Sequence, residues 1–226
     1  MMEGGITMTI MTKSLEKIKQ YLLDNGVVEE EIEEYFTHSV YLSIAIMEYA
    51  HRDQIRENGE EYANHPSRVM QSYRKLVGIT PDDYFCIDED LMIKHGIPYR
   101  GVQEVALLHD VIEDTEFTLD DVREIFVECG FEDFFDMYIK VPLDNVTHIK
   151  SMDYLEYIKI CLKHPISAMV KMLDLQDNLH VLDLVTFDKS NYERSQRYLS
   201  YIYLINSYYH FIENNQEYLK EFKANQ

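Results

Sequence analysis

Val102-Gln-Glu-Val-Ala-Leu-Leu-His-Asp-Val-Ile-Glu-Asp114 is apolar for most of its length and charged at its end. It reads as an apolar helix opening just after Gly101, yet His109, Asp110, Glu113 and Asp114 crowd four ionisable groups into its end. At i, i+4 spacing His109 sits beneath Glu113 and Asp110 beneath Asp114, on adjoining faces. Two readings fit this quartet alone. Either the helix end is simply solvated and His109 is satisfied in the core, or His109 and Asp110 meet one ion and Glu113 and Asp114 overhang it.

Earlier in the chain, apolar residues recur at helical spacing, with Ile18, Leu22 and Leu23 in one segment and Val40, Tyr41, Ile44 and Met47 in another. Asn25-Gly26 ends the first, and the second runs into a polar stretch whose Asn58-Gly59 pair marks a turn. A helix starting at His65-Pro66 continues through Val69, Met70 and Leu76 to Gly78, since proline suits a first turn. Thr118-Leu-Asp-Asp121 resembles a capping signal for a short helix reaching about Phe126. Further helices are expected over 131–140, 153–163, 167–183 and 190–213, with Pro142 and Pro165 interrupting them. No strand or hairpin pattern competes, so the expected fold class is all-α, as one domain spanning 1–226 with its motif-bearing core at about 40–200.

Composition narrows the functions. A hydrophobic fraction of 46% with 18 Tyr and 10 Phe against 8 Gly and 5 Pro fits packed helices rather than disorder. A formal charge of −20 repels polyanions and argues against extended nucleic acid or an anionic membrane surface as partners. No apolar run reaches the roughly 18 residues of a membrane span. Cys86, Cys129 and Cys161 are odd in number and far apart, which fits a reducing, cytoplasmic location.

Two further residues bear on the helix quartet. His65 follows a polar loop at a helix start, where a side chain can project into a cleft, although a lone histidine there is often only a surface residue. Asp174 lies within the apolar run 168–173 and beyond, where an unpaired carboxylate is costly to bury and needs a cation. His65, His109, Asp110 and Asp174 together make a mixed nitrogen and oxygen ligand set suited to Mn²⁺, Fe²⁺, Co²⁺ or Zn²⁺. Such a set can leave positions open for water and substrate, as metal-assisted hydrolysis requires.

In that order, His65, His109-Asp110 and Asp174 resemble the H…HD…D signature of HD-domain phosphohydrolases, an all-α helical-bundle family. More narrowly, AHRDQIRENGEEYANHP at 50–66 and ALLHDVIEDT at 106–115 resemble the hydrolase domain of the Rel/Spo alarmone enzymes and small alarmone hydrolases. VTHIK at 146–150 and VKMLDLQDNL at 170–179 extend the likeness. The resemblance implies one divalent ion, Mn²⁺ first, held by the four ligands, with Glu113 and Asp114 as the catalytic pair. It implies a small nucleotide as partner and attack of an activated water on guanosine 3′,5′-bis(diphosphate), releasing pyrophosphate from its 3′ position. It further implies substrate contacts at Arg56, against the nucleobase, and at Asn178, Lys150 and Tyr198. For Lys150 and Tyr198 a solvated lysine and a packed tyrosine are equally good readings.

The chain departs from that pattern at Glu57, Leu175 and His180, where the family tends to carry basic residues. Two alternatives therefore stand beside the alarmone reading: an HD phosphohydrolase or nucleotidase acting on another nucleotide, and a non-catalytic HD module that senses nucleotides. The acidic segment 80–100 is longer than the matching connection in compact relatives and reads as surface elaboration, with a lid contributing Lys94 or Arg100 as the other choice. The tyrosine-rich C-terminal segment reads as a helix that packs on the core or on a second copy of the chain.

Overall fold

The computed structural model describes residues 13–79, 100–182 and 189–214; the expected lid or elaboration at 80–100 lies outside them, Arg100 excepted. In chain order the helices are α1 (Lys13–Asp24), α2 (Glu29–Thr37), α3 (Ser39–His51), α4 (Asn64–Leu76), α5 (Val102–Leu108), α6 (Val111–Asp114), α7 (Leu119–Glu128) and α8 (Glu132–Phe134). A π-helical turn (Phe135–Ile139) leads into α9 (Lys140–Val146), followed by α10 (Tyr154–Cys161), α11 (Pro165–Leu182) and α12 (Lys189–Asn214). Among the described residues there is no strand, only an isolated antiparallel bridge between Ile55 and Glu61. The fold is all-α, as the periodicity predicts.

Packing follows the apolar stripes. Ile18 and Leu22 of α1, Ile32 of α2, Leu42 and Ile46 of α3 and Val69 and Met70 of α4 are buried in one core with Val105 and Leu108 of α5. Each such side chain contributes about 1.5–3 kcal/mol by leaving water. A second cluster, Tyr157, Ile158 and Cys161 with Ala168, Leu175 and Ile205, joins α10, α11 and α12. Helix α11 packs against α4, α5, α9, α10 and α12, so it forms the spine on which both clusters meet.

Local rules explain most boundaries. Thr118 accepts from the Asp121 amide and Asp121 returns a bond to the Thr118 amide, a full capping box with Asp in place of Glu. Pro165 opens α11, where its missing N–H costs nothing. Gly101 has φ 82° and its missing side chain is required, because a Cβ there would stand 2.9 Å from the Tyr138 carbonyl oxygen.

Two sequence expectations need correction, and one helix lies where none is expected. Helix α2, EEEIEEYFT, was not foreseen, because Ile32 is its one buried residue and the rest carries no apolar stripe. The helix expected across 102–114 is interrupted at His109-Asp110, which adopt a turn between α5 and α6. Pro142 does not interrupt a helix; it lies in the first turn of α9, and the preceding π turn supplies the wider spacing that its ring and missing N–H demand.

Candidate metal centre

The site forms where α4, the α5–α6 turn and α11 converge. The loop ahead of α4 is pinched by amide bonds from Arg56 to the Glu60 carbonyl (2.9 Å) and from Tyr62 to the Gln54 carbonyl (3.0 Å), with Gly59 at φ 86° making the tight turn. This fold-back delivers His65 to the core with only 1% of its surface exposed. Across from it, the break after α5 turns His109 and Asp110 inward, and α11 supplies Asp174.

His65 Nε2 lies 3.1 Å from Asp174 Oδ1 and 3.5 Å from Asp110 Oδ2. His109 Nε2 lies 3.3 Å from Asp110 Oδ1 and 3.7 Å from Asp174 Oδ1. Ligand atoms of His65, His109 and Asp174 fall within 4.8 Å of one another, and all three residues are buried. This group could hold a metal ion, and Asp110 borders it through both oxygens.

One atom makes the fit specific. His109 Nδ1 stands 2.8 Å from the Ala106 carbonyl, an acceptor, so Nδ1 carries the ring proton and Nε2 faces the carboxylates. Nε2 is buried and has no hydrogen-bond partner. Burial alone would lower the His109 pKa, but the charges of Asp110 and Asp174 raise it to about 9. Those carboxylates therefore hold a positive charge at the spot where a divalent ion would sit. The donor set and the orphaned nitrogen fit a metal.

Asp174 has the cation that its burial demands, supplied by the chain itself. Its carboxylate accepts from Lys171 Nζ at 2.7 Å and from Asn178 Nδ2 at 2.6 Å. Burial favours the neutral acid, yet Lys171 and the two histidines outweigh it and keep Asp174 ionised. Its burial is thus compensated without a metal, and the unpartnered His109 nitrogen, not the buried aspartate, is the stronger sign of an ion.

Glu113 and Asp114 flank the ligand group. Glu113 Oε2 accepts the His148 amide at 3.0 Å, and burial raises its pKa. Asp114 is exposed; its Oδ2 accepts from the Tyr62 hydroxyl at 2.7 Å and its backbone carbonyl accepts from Gln54 Nε2 at 2.8 Å.

Of the substrate contacts implied by resemblance, Arg56 and Asn178 are brought together, with Arg56 Nη2 2.5 Å from Asn178 Oδ1. Tyr198 lines a cavity of about 220 Å³ with Tyr154, Arg194, Arg197 and Tyr201. Lys171, whose ammonium pairs with Asp174, lies 5.6 Å from the ring of Tyr154, one of the residues lining that cavity. Lys150 is exposed on the connection between α9 and α10.

The departures from the family pattern gain a structural account. Leu175 is fully buried in the second cluster, facing away from the cleft. Glu57 accepts from Arg194 Nη1 at 3.2 Å, so a cation reaches this position from α12 instead. His180 is exposed.

Sequence reading assigned no role to Asp177, Arg68, Lys171 or Tyr62. Asp177 Oδ2 lies 2.7 Å from His65 Nδ1, and Arg68 donates to the same carboxylate at 2.7 and 3.0 Å. Burial would raise the Asp177 pKa, but these bonds hold it well below the usual carboxylate range. Arg68 is in turn gripped by Glu60 at 2.8 and 2.7 Å. The available signal was spacing: Lys171, Asp174 and Asp177 recur every three residues and so share a helix face.

Cys129 and Cys161 take no part. Burial pushes the Cys161 thiol up to about 11 and Cys129 up to about 12, so neither is a ready thiolate.

No protein-family model matches the chain. It is 28% identical over 158 residues to the guanosine-3′,5′-bis(diphosphate) 3′-pyrophosphohydrolase MESH1 of Homo sapiens, covering 67% of this chain and 73% of that protein. It is 26% identical over 159 residues to the protein of the same name in Drosophila melanogaster, covering 66% of this chain and 73% of that one. A solved structure described as a metazoan ortholog of SpoT that hydrolyses ppGpp aligns with a TM-score of 0.48 and 22% identity, over 75% of this chain and 84% of its own. No helix among the described residues is long and apolar enough to cross a membrane.

Proposed function

We propose that this chain, a relative of the Rel/Spo-like HD-domain hydrolases, is a metal-dependent phosphohydrolase that releases pyrophosphate from the 3′ position of guanosine 3′,5′-bis(diphosphate). Both curated relatives carry that activity in their names. The carrying observation is a juxtaposition: the buried group His65, His109 and Asp174, bordered by Asp110, is linked to Asp114 through the Tyr62 hydroxyl and to Arg56 through Asn178, which donates to Asp174.

In this reading His65, His109, Asp110 and Asp174 hold one divalent ion, Mn²⁺ first. When bound, such an ion lowers the pKa of water and neutralises phosphoryl charge. Asp114, held by Tyr62 and Gln54, orients the attacking water. Glu113, with its pKa raised by burial, takes the proton that this water loses. Water oxygen bonds to the phosphorus next to the ribose, the bond to the 3′ oxygen breaks, and that oxygen takes up a proton. GDP and pyrophosphate are the products.

Arg56 offers its guanidinium plane to the base, and Asn178 steadies that plane through the bond between them. The cavity beside Tyr198 is smaller than the about 300–1,000 Å³ of whole-ligand pockets, so it suits one part of a substrate. Arg194 and Arg197 make it a seat for the second diphosphate and supply cations from α12 that the family pattern would place elsewhere. The free thiols fit activity in the cytoplasm.

Product analysis of Mn²⁺-loaded protein with guanosine 3′,5′-bis(diphosphate) tests the proposal, beside a Glu113→Ala, Asp114→Ala control. GDP and pyrophosphate from the parent and neither from the control is the expected result. Turnover of a different nucleotide with none of this one would favour the second reading, an HD phosphohydrolase of other specificity, for which Glu57, in place of a basic residue, speaks.

A further inference from the structure

Tyr62 touches both halves of the site. Its hydroxyl oxygen lies 2.9 Å from Asp110 Oδ2 and 2.7 Å from Asp114 Oδ2. A phenol has one proton, so only one of these carboxylates can receive it fully at a time.

The ring cannot easily turn away. It stacks on His51 with centroids 4.6 Å apart and planes at 15°. His51 Nδ1 lies 2.9 Å from Gln54 Oε1, and Gln54 Nε2 donates to the Asp114 carbonyl at 2.8 Å. The Tyr62 amide, donating to the Gln54 carbonyl, closes the ring of contacts. Among the described residues, Asp114 is thus an exposed carboxylate fixed at its backbone by Gln54 and at its side chain by the phenol.

We propose that Tyr62 is a positioning residue linking ligand occupancy to the catalytic pair: its proton is shared between Asp110 and Asp114 in the metal-free protein and is given wholly to Asp114 once Asp110 serves as a ligand. Engagement of Asp110 withdraws electron density from the oxygen that competes for the phenol. The bond to Asp114 tightens in response, and that carboxylate becomes oriented only when an ion is present to use it. The role given to Asp114 rests on the hydrolytic reading above; the link between Asp110 and Tyr62 does not.

The test uses the whole chain and Mn²⁺ alone. With 18 Tyr and no Trp, near-ultraviolet difference absorbance reports tyrosine environments directly. Metal-stripped protein titrated with Mn²⁺ should develop a tyrosine difference band that saturates with bound metal. Tyr62→Phe, which keeps the ring and its stack on His51, should bind Mn²⁺ without that band. Its kcat on the bis(diphosphate) should fall about tenfold, the scale of one lost bond to a charged group, with KM changed less than about twofold. Asp114→Ala, an exposed substitution with little risk to folding, should shrink the band because the phenol loses its second acceptor.

A band absent from the parent, undiminished in Tyr62→Phe, or unchanged in Asp114→Ala would overturn the proposal, as would an unaltered kcat in Tyr62→Phe. If neither protein turns over the bis(diphosphate), the band alone decides. A wrong substrate is thereby told apart from a wrong role for Tyr62.

Discussion

His65 and Asp177 are joined by a 2.7 Å hydrogen bond at Nδ1, and this bond decides which nitrogen of the imidazole faces the ligand group. A carboxylate behind a ligand histidine fixes its tautomer and raises its basicity. Replacing Asp177→Asn keeps the shape but removes the charge. Mn²⁺ affinity, read by calorimetry, should weaken about 10–100-fold. Affinity equal to that of the parent would show that His65 is not oriented in this way.

Metal binding should release protons near neutrality. The His109 pKa of about 9 lies above its ordinary 6.5. A group raised on folding stabilises the metal-free fold fully below 6.5, and that contribution fades as pH rises through about 9. An ion must displace this proton, so apparent Mn²⁺ affinity should climb with pH and level off above about 9. Titrations at pH 7 in buffers of differing ionisation heat would count the protons. A pH-independent affinity would remove His109 from the ligand set.

Lys171 and Asp174 form a buried ion pair at 2.7 Å, and the ammonium also lies 5.0 Å from the Tyr157 ring. Taking away one partner of such a pair costs about 3–5 kcal/mol. Lys171→Met should lower the stability of metal-stripped protein on that scale in urea titrations. Mn²⁺ should restore part of the loss, since Asp174 then faces a cation again. No loss in the metal-free state would mean that the histidines alone compensate Asp174.

The second diphosphate is the part of the proposed substrate assigned to the cavity on α12. Replacing Arg194→Ala together with Arg197→Ala should raise KM roughly tenfold or more, the scale of one or two lost bonds to charged groups, with little change in kcat. With guanosine 3′-diphosphate, which lacks the second diphosphate, parent and variant should match. An equal KM effect on both substrates would place the anion seat elsewhere.

How far the sequence could lead depended on what each residue does. His65, His109 and Asp174 were legible because each is an ionisable group set among apolar neighbours or at a loop end, and all three converge. The all-α class was legible from periodicity. Helix α2 was not, because an acidic helix with one buried residue carries almost no periodic signal. The support around the ligands was hidden for a different reason. Arg68 and Glu60 look like ordinary surface charges in sequence, and only the fold-back of the loop before α4 brings Glu60 to the Arg68 that holds Asp177 of α11. Arg194 opposite Glu57 was equally invisible, since the two lie far apart in the chain and meet only through α12.

Lys171, Asp174, Asp177 and Asn178 all stand on α11, so four contributions to the site share one rotational setting. Each residue of a helix advances about 100° around its axis. One residue added to or taken from the turn at 162–164 would swing the whole set off the histidines, and would bring Leu175 out of the second cluster at the same time. The helix works like a key cut along one edge: point changes wear down a single tooth, whereas a change of length upstream stops the key from turning without altering any tooth.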